Sequence, residues 1–172
     1  MTDLVVRTAT AADAEALHAL ISGHQNEGHL LPRELGELRQ HAARFIVCEV
    51  AGELKACVEL APLSPAVAEV RSLVVAQDFR RVGLAARLVG EIRARARVSG
   101  YQELCAFTHD PRFFVRQNFS IVPHVWLPEK IAHDCHTCPL FRRCEQFAML
   151  LPLVDLQRYT AEPTDDRRVA VA

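Results

Sequence analysis

The amino-acid sequence predicts an α/β domain in which an antiparallel meander of strands leads into a β-α-β crossover. The first observation is the order of periodic segments: strand, two helices, three strands, helix, strand, helix and further strands. The second is a helical segment at residues 84–99 that separates two apolar runs of strand length, as a crossover requires. The third is size, because 172 residues, half of them apolar, suffice for one domain with its own core.

The first half of the chain supplies a strand, two helices and a hairpin. Thr10 is suited to cap the helix that follows it, and Gly23 is suited to end that helix. Ala51 and Gly52 lie between two apolar runs and predict a two-residue hairpin turn. The predicted elements are a strand at residues 4–7, helices at 11–22 and 34–44, and strands at 45–50 and 53–60.

The second half contains the crossover and the remaining strands. Asp110 and Pro111 are typical of a helix start. The predicted elements are a strand at residues 67–76, a helix at 84–99, a strand at 101–107, a short helix at 110–117 and strands at 121–122 and 147–154. Residues 1–155 form the predicted domain, and residues 156–172 form a polar, loose tail.

Charge and hydropathy exclude several classes of partner. The net charge is -1 at pH 7, whereas a general nucleic-acid or anionic-membrane binder normally has a basic excess. No segment approaches the roughly 18 consecutive apolar residues that span a bilayer, and the first residues lack the pattern of a secretory signal. We therefore expect a cytoplasmic protein that binds neither nucleic acid nor membrane. Arginine greatly outnumbers lysine, an excess that a GC-rich genome explains in bulk.

The six cysteines are expected to be cytosolic thiols. Three of them lie in apolar, strand-like runs and are expected to be small core residues: Cys48, Cys57 and Cys105. Cys135, Cys138 and Cys144 form a cluster with partial zinc-site character, because that spacing supplies three thiolates but no definite fourth ligand. Plain thiols are the preferred interpretation, with structural zinc and a redox or disulfide role as alternatives, so no metal is expected.

A turn and helix start at residues 80–85 has the features of a phosphate cradle. Gly83 and Ala85 carry little or no side chain, so a ligand can approach the backbone closely. The first N–H groups of a helix lack intrahelical partners, and the helix dipole is positive there. A pyrophosphate would satisfy these groups while Arg80 and Arg81 add charge. The same pattern also fits a tight turn with a solvated face.

Arg80, Gly83 and Ala85, placed between a strand and a helix, resemble the acetyl-CoA pyrophosphate signature of the GNAT N-acetyltransferases. The element order from residue 4 to 153 is similar to that of the same family. Residues 114–119 resemble the family's segment with an aromatic residue four positions before Gly-Phe. Asn118 replaces that glycine, and asparagine tolerates left-handed backbone conformations better than most residues.

Five further blocks follow one another along the chain, at residues 30–33, 68–73, 108–114, 127–130 and 134–144. Together they resemble the short bacterial N-acetylglutamate synthases, free-standing GNAT enzymes of arginine biosynthesis, in which similar blocks occur in the same order. The resemblance implies transfer of an acetyl group from acetyl-CoA to the α-amino group of L-glutamate, by direct attack in a ternary complex. The alternatives are a GNAT enzyme for another amino acid or amine, and a non-catalytic acyl-CoA-binding sensor. Assembly as a homodimer is left open.

The GNAT resemblance also implies a mixed central sheet of about six or seven strands, with flanking helices and two central strands that splay apart. The pantetheine of acetyl-CoA, the expected co-substrate, would pair with the strand at residues 67–76. Backbone N–H groups near its end would polarise the thioester carbonyl. The expected cofactor contacts are Leu73, Val74, Val75, Arg80, Arg81, Val82, Gly83, Leu84 and Ala85.

A dicarboxylate substrate needs two cationic or hydrogen-bonding clamps. Arg33 follows a loop that resembles the substrate loop of the family, and Arg71 with Ser72 lies on the strand beside the cofactor. Lys130 is the weaker third candidate. Each of these cations could instead be a surface charge or a member of an ion pair.

Deprotonation of the amine needs a base. Glu69 is preferred because several GNAT enzymes carry a glutamate at this strand position, and His109 is the second candidate because the unperturbed pKa of imidazole suits the task. Strand alternation places Glu69 and Arg71 on one face, so Glu69 could instead orient Arg71. Phe114 stands where many GNAT enzymes have a tyrosine acid, and phenylalanine cannot donate a proton. The acid that protonates the thiolate is therefore unassigned.

Overall fold

A mixed sheet with helices on both faces forms the centre of the protein. The structure is a computed structural model that describes residues 4–25 and 30–154. Within these residues the strands are β1 (Leu4–Thr8), β2 (Phe45–Val50), β3 (Glu53–Pro62), β4 (Val67–Val75), β5 (Glu103–Thr108), β6 (Ser120–Val122) and β7 (Phe147–Pro152). They lie in the order β1-β2-β3-β4-β5-β7-β6. Every neighbouring pair is antiparallel except β4–β5, which is parallel, as the predicted crossover requires.

The longer helices begin at residues that suit a helix start. The helix α1 (Ala14–Ser22) follows a short 3-10 turn at Ala11–Asp13, where the Thr10 N–H donates to the Asp13 carboxylate at 2.7 Å in a capping box. The other α-helices of the described residues are α2 (Leu35–His41), α3 (Leu84–Val98), α4 (Arg112–Arg116) and α5 (Pro128–His133). The helix α3 is the β4–β5 crossover and packs on one face of the sheet.

Side-chain alternation gives the other face of the sheet its charged residues. Ala68 and Val70 of β4 pack with α3 in an apolar cluster. Glu59, Glu69 and Arg71 occupy the alternate positions of β3 and β4 and so point to the opposite face. On that face one apolar cluster joins α1 and α2 to the sheet, and another lies around β5 and β7. Both clusters include residues of β4, so the charged residues lie between them along this strand.

A bulge at Ser72 changes the course of β4. The pairing register between β3 and β4 shifts there, which leaves one extra residue in β4, and Ser72 has a φ of 48° in the left-handed region. Among the described residues no pair joins β4 to β5 beyond Val70, although β4 continues to Val75 and β5 to Thr108. The two central strands therefore splay apart, as expected.

The predicted elements are confirmed, with small shifts at their ends. Ala51 and Gly52 both have positive φ values, 52° and 82°, and form the predicted hairpin turn. Cys48, Cys57 and Cys105 are fully buried in the core. The helix α5 was not predicted, and the expected tail at residues 156–172 lies outside the described residues. In the ranges that the structure describes, no helix is both long enough and apolar enough to cross a bilayer.

Candidate active site

A cleft of about 350 Å³ opens between the end of β4 and the start of α3. Five of the predicted cofactor residues line this cleft. Leu73, Val74 and Val75 belong to β4, Ala85 belongs to α3, and Arg80 lies in the loop between them. His24, Leu30 and Phe113 complete the lining. Of the other predicted cofactor residues, Leu84 is buried in the core, whereas three are exposed in the loop before α3: Arg81, Val82 and Gly83.

The loop before α3 leaves backbone N–H groups available beside the cleft. Gly83 caps the helix with a φ of 82°, and Arg81 also lies in the left-handed region. The first helical hydrogen bond runs from the Arg87 N–H to the Gly83 carbonyl at 3.1 Å, so the N–H groups of residues 84–86 have no intrahelical acceptor. Arg80 donates through Nε to the Val75 carbonyl at 3.0 Å, which holds this arginine against the strand. The loop therefore presents the backbone donors that the phosphate-cradle prediction requires.

Arg33 is held by two carboxylates and a hydroxyl. Its Nη1 donates to Glu59 at 2.6 Å and to the Ser72 Oγ at 2.9 Å, while its Nη2 donates to Glu37 at 2.8 Å. The guanidinium also lies 5.7 Å from the ring centroid of Phe45. Burial lowers the pKa of Arg33, but Glu59 and Glu37 outweigh burial and raise it. Arg33 is thus a permanent cation beside the β4 bulge, with its side chain largely buried.

Arg71 and Lys130 meet around a second pair of acids. Glu69 accepts a hydrogen bond from Arg71 Nε at 2.5 Å, and each of its oxygens accepts one from Lys130 at 2.9 Å. Asp134 accepts from Lys130 at 2.8 Å and also from Arg71. Burial raises the pKa of Asp134, but hydrogen bonds from Lys130 and His133 outweigh it and lower this pKa to about 2. Asp134 is therefore a carboxylate at any physiological pH.

The two groups form one charged network on the face of the sheet opposite α3. Glu59 lies directly opposite Arg71 in the β3–β4 register, and its charge acts on Arg71. The structure thus brings together the four residues predicted to bind substrate: Arg33, Arg71, Ser72 and Lys130. Each of the three cations is also a member of an ion pair, which was the alternative interpretation.

His109 and Phe114 lie outside this network. His109 is exposed just after β5. Phe114 is buried in the core, with its ring edge-on to Phe119 at a centroid distance of 5.2 Å, and its neighbour Phe113 lines the cleft instead. Asn118 has a φ of 67°, the left-handed conformation expected where relatives have glycine. Phe114 therefore contributes packing at the place where a proton donor was sought.

The clustered cysteines lie in an irregular segment between α5 and β7. Cys138 and Cys144 are exposed, and Cys135 is partly buried. Cys135 and Cys144 line a second cavity, of about 220 Å³, with His124. Within residues 4–25 and 30–154, no three His, Cys, Asp or Glu side chains are grouped so that they could hold a metal ion. The described geometry therefore gives no support to the zinc alternative.

Comparison with known proteins places this chain in a family. Residues 12–119, more than half of the chain, match the model of the acetyltransferase (GNAT) family. The chain belongs to the GNAT family. This GNAT protein is 32% identical over 151 residues to an uncharacterized N-acetyltransferase of Chlorobaculum tepidum, an alignment that covers 88% of this chain and 97% of the relative. It is 34% identical over 121 residues to the amino-acid acetyltransferase of Ralstonia nicotianae, covering 69% of this chain but only 27% of that longer protein.

Solved structures share the GNAT fold with this chain. The N-acetylglutamate synthase of Neisseria gonorrhoeae, solved with coenzyme A and N-acetyl-glutamate, matches with a TM-score of 0.78 and 24% identity over 90% of this chain and 36% of that one. The Rv2747 protein of Mycobacterium tuberculosis, solved with CoA and NLQ, matches with a TM-score of 0.75 and 23% identity over 87% and 99%. At these identities the likeness establishes the fold.

Three acids of the charged network were not singled out from the sequence: Glu37, Glu59 and Asp134. For Glu59 there was a signal, because an acid inside the apolar run of β3 must find a partner once it is buried. Glu37 and Asp134 lie four residues after Arg33 and Lys130, a spacing that brings opposite charges together within a helical turn.

Proposed function

We propose that this acetyltransferase moves the acetyl group of acetyl-CoA to the α-amino group of L-glutamate, the first step of arginine biosynthesis. The observation that carries the proposal is the presence of two separate cationic clamps on one sheet face, Arg33 in one and Arg71 with Lys130 in the other. A dicarboxylate amino acid offers one carboxylate to each clamp. The names of the Ralstonia relative and the Neisseria neighbour support the same substrate class.

In this proposal the cofactor lies along the cleft. The pantetheine pairs with the part of β4 beyond Val70, where β5 has separated from it. The pyrophosphate takes the N–H groups at the start of α3, and Arg80 and Arg81 add charge. The presence of CoA or acetyl-CoA in solved neighbours supports this assignment.

The reaction is direct attack of the neutral amine on the thioester. The amine nitrogen bonds to the carbonyl carbon, the carbonyl oxygen becomes an oxyanion, and the C–S bond then breaks to release the thiolate. Backbone N–H groups at residues 73–75, just after the bulge, stabilise the oxyanion. Holding both substrates in line is worth roughly 7 kcal/mol or more of the barrier.

The amine proton must pass to a base, for which Glu69 and His109 are the candidates. Glu69 is buried and accepts hydrogen bonds from two cations, Arg71 and Lys130. These contacts favour the alternative role in which Glu69 orients Arg71, and they extend that role to Lys130. His109 is exposed near the end of β5. We propose that Glu69 acts mainly as a positioning residue for Arg71 and Lys130.

Replacing Gly83 with alanine should weaken both the fold and cofactor binding. A β-carbon at Gly83 meets open space, so the cost is backbone strain at a φ of 82°, about 1–2 kcal/mol of unfolding free energy. The KM for acetyl-CoA should rise because the cradle is distorted. Gly90→Ala is the matched control on the same helix: it should raise the unfolding free energy by about 0.5–1 kcal/mol and leave this KM unchanged. Chemical denaturation measures the unfolding free energy, and steady-state kinetics measures the KM for acetyl-CoA. Equal effects of Gly83→Ala and Gly90→Ala on this KM would contradict the assignment of the loop to cofactor binding.

The substrate is tested by CoA-thiol release from acetyl-CoA across a panel of L-glutamate, L-glutamine, L-aspartate, L-lysine and a short peptide. We expect the highest kcat/KM with L-glutamate. CoA release with another amine, and none with glutamate, would show that the proposed substrate is wrong while the proposed acetyltransferase activity stands. Absence of release with every amine, together with a melting temperature raised by acetyl-CoA, would favour the acyl-CoA sensor, for which the missing tyrosine acid at Phe114 is the supporting observation.

A further inference from the structure

Each cationic clamp holds one buried acid and one acid that is partly exposed to solvent. Arg33 binds Glu59, whose side chain is 2% exposed, and Glu37, whose side chain is 45% exposed. Lys130, together with Arg71, binds Glu69, which is 4% exposed, and Asp134, which is 34% exposed. The two clamps lie on different elements, yet they repeat the same arrangement.

The network has no excess positive charge that could bind a substrate carboxylate. Three cations are shared by four carboxylates, so an added carboxylate would meet a net negative site. Arg33 already uses one N–H of Nη2 on Glu37 and two N–H groups of Nη1 on Glu59 and Ser72. A carboxylate that is to form paired bonds with Arg33 must therefore replace one that is present. A carboxylate that binds Arg71 or Lys130 must compete with Glu69 and Asp134 for their charge.

The exposed acids are the ones that can leave. A carboxylate that moves from a half-exposed ion pair into water loses little free energy, because surface ion pairs are weak. Release of Glu59 or Glu69 would instead leave charges unpaired inside the protein, which is strongly unfavourable. Asp134 also lies at the end of α5, and in the described segment 128–147 no side chain is buried, so this segment is lightly held.

We propose that Glu37 and Asp134 are internal stand-ins for the two carboxylates of the substrate. In the free protein each one neutralises its clamp, and on binding each is displaced into solvent by a substrate carboxylate, while Glu59 and Glu69 stay in place. This inference rests on the proposed function, because it takes the two clamps to be the carboxylate sites of a dicarboxylate amino acid. It makes these two acids specificity-determining residues that lower the apparent affinity for the substrate.

The test is the KM for L-glutamate of Glu37→Gln and Asp134→Asn. Removing a competing carboxylate should lower this KM by about two- to fivefold in each variant, and by the product of the two factors in the double variant. The inhibition constant of glutarate, a dicarboxylate without the amine, should fall in parallel. Two controls separate displacement from a general change of charge: Glu129→Gln removes an acid next to Lys130 on α5, and Glu53→Gln removes the exposed partner of Lys55. Both should leave the KM for glutamate unchanged.

Kinetics with L-glutamine show which substrate carboxylate displaces Glu37 and which displaces Asp134, since glutamine has the α-carboxylate but not the side-chain carboxylate. Only one of the two variants should lower the KM for glutamine. A KM for glutamate that rises in Glu37→Gln and Asp134→Asn would show that these acids position the clamps, and an unchanged KM would show that they lie outside the binding site. Either result overturns the inference. The proposed function stands in both cases as long as the wild-type protein acetylates glutamate. If the wild-type protein does not acetylate glutamate but another amine is used, the proposed substrate itself fails.

Discussion

Replacing Arg71 with alanine should raise the KM for L-glutamate by about 30-fold or more and change the KM for acetyl-CoA little. Arg71 is the cation of the second clamp that lies on β4 itself, beside the bulge and the cleft. Its loss removes the paired N–H donors for a carboxylate and leaves Glu69 with Lys130 as the one remaining cation among the contacts described here. Steady-state kinetics with each substrate varied in turn measures the two KM values.

The matched control is Arg39→Ala. Arg39 is an exposed arginine on α2 that pairs with Glu15, so its removal takes away the same charge at a place outside the network. It should leave both KM values unchanged. An Arg71→Ala variant with a normal KM for glutamate would remove Arg71 from the binding site. Equal rises in both KM values would instead point to distortion of β4, which a lowered melting temperature would confirm.

The order of elements could be predicted because it depends on local signals that this chain carries in full. Thr10 with Asp13 caps the first helix, Ala51-Gly52 adopts the positive φ values of a tight hairpin turn, and Gly83 starts α3 in the left-handed conformation. Each signal acts within a few residues of its own position. The cofactor loop was predictable for the same reason, because strand, loop and helix start are contiguous in the chain.

The charged network could be predicted only in part, because its bonds join distant segments. Glu59 meets Arg33 across 26 residues, and Glu69 meets Lys130 across 61 residues. Periodicity indicates which face a side chain takes, but it does not say which partner reaches it from another element. The candidate cations were therefore found as single residues, whereas the acids that hold them appeared only in the folded structure. The contacts of Lys130 and Asp134 could not be predicted because α5 was not predicted. This helix carries Lys130 and is followed by Asp134, and it brings both residues to β4.

Replacing Glu69 with glutamine should lower the unfolding free energy by about 3 kcal/mol, because it removes the buried partner of two cations. Glutamine keeps the size of the side chain but not its charge, so Arg71 and Lys130 lose their common anchor. If Glu69 orients these cations, the KM for glutamate should rise more than kcat falls. If Glu69 is instead the base, kcat should fall by roughly 10²–10⁴-fold. Asp134 would still pair with both cations, which makes a folded variant the expected outcome. His109→Gln, measured alongside, should lower kcat by a similar factor if the exposed imidazole takes the amine proton, so the kcat values of the two variants together assign the proton to one of the two groups.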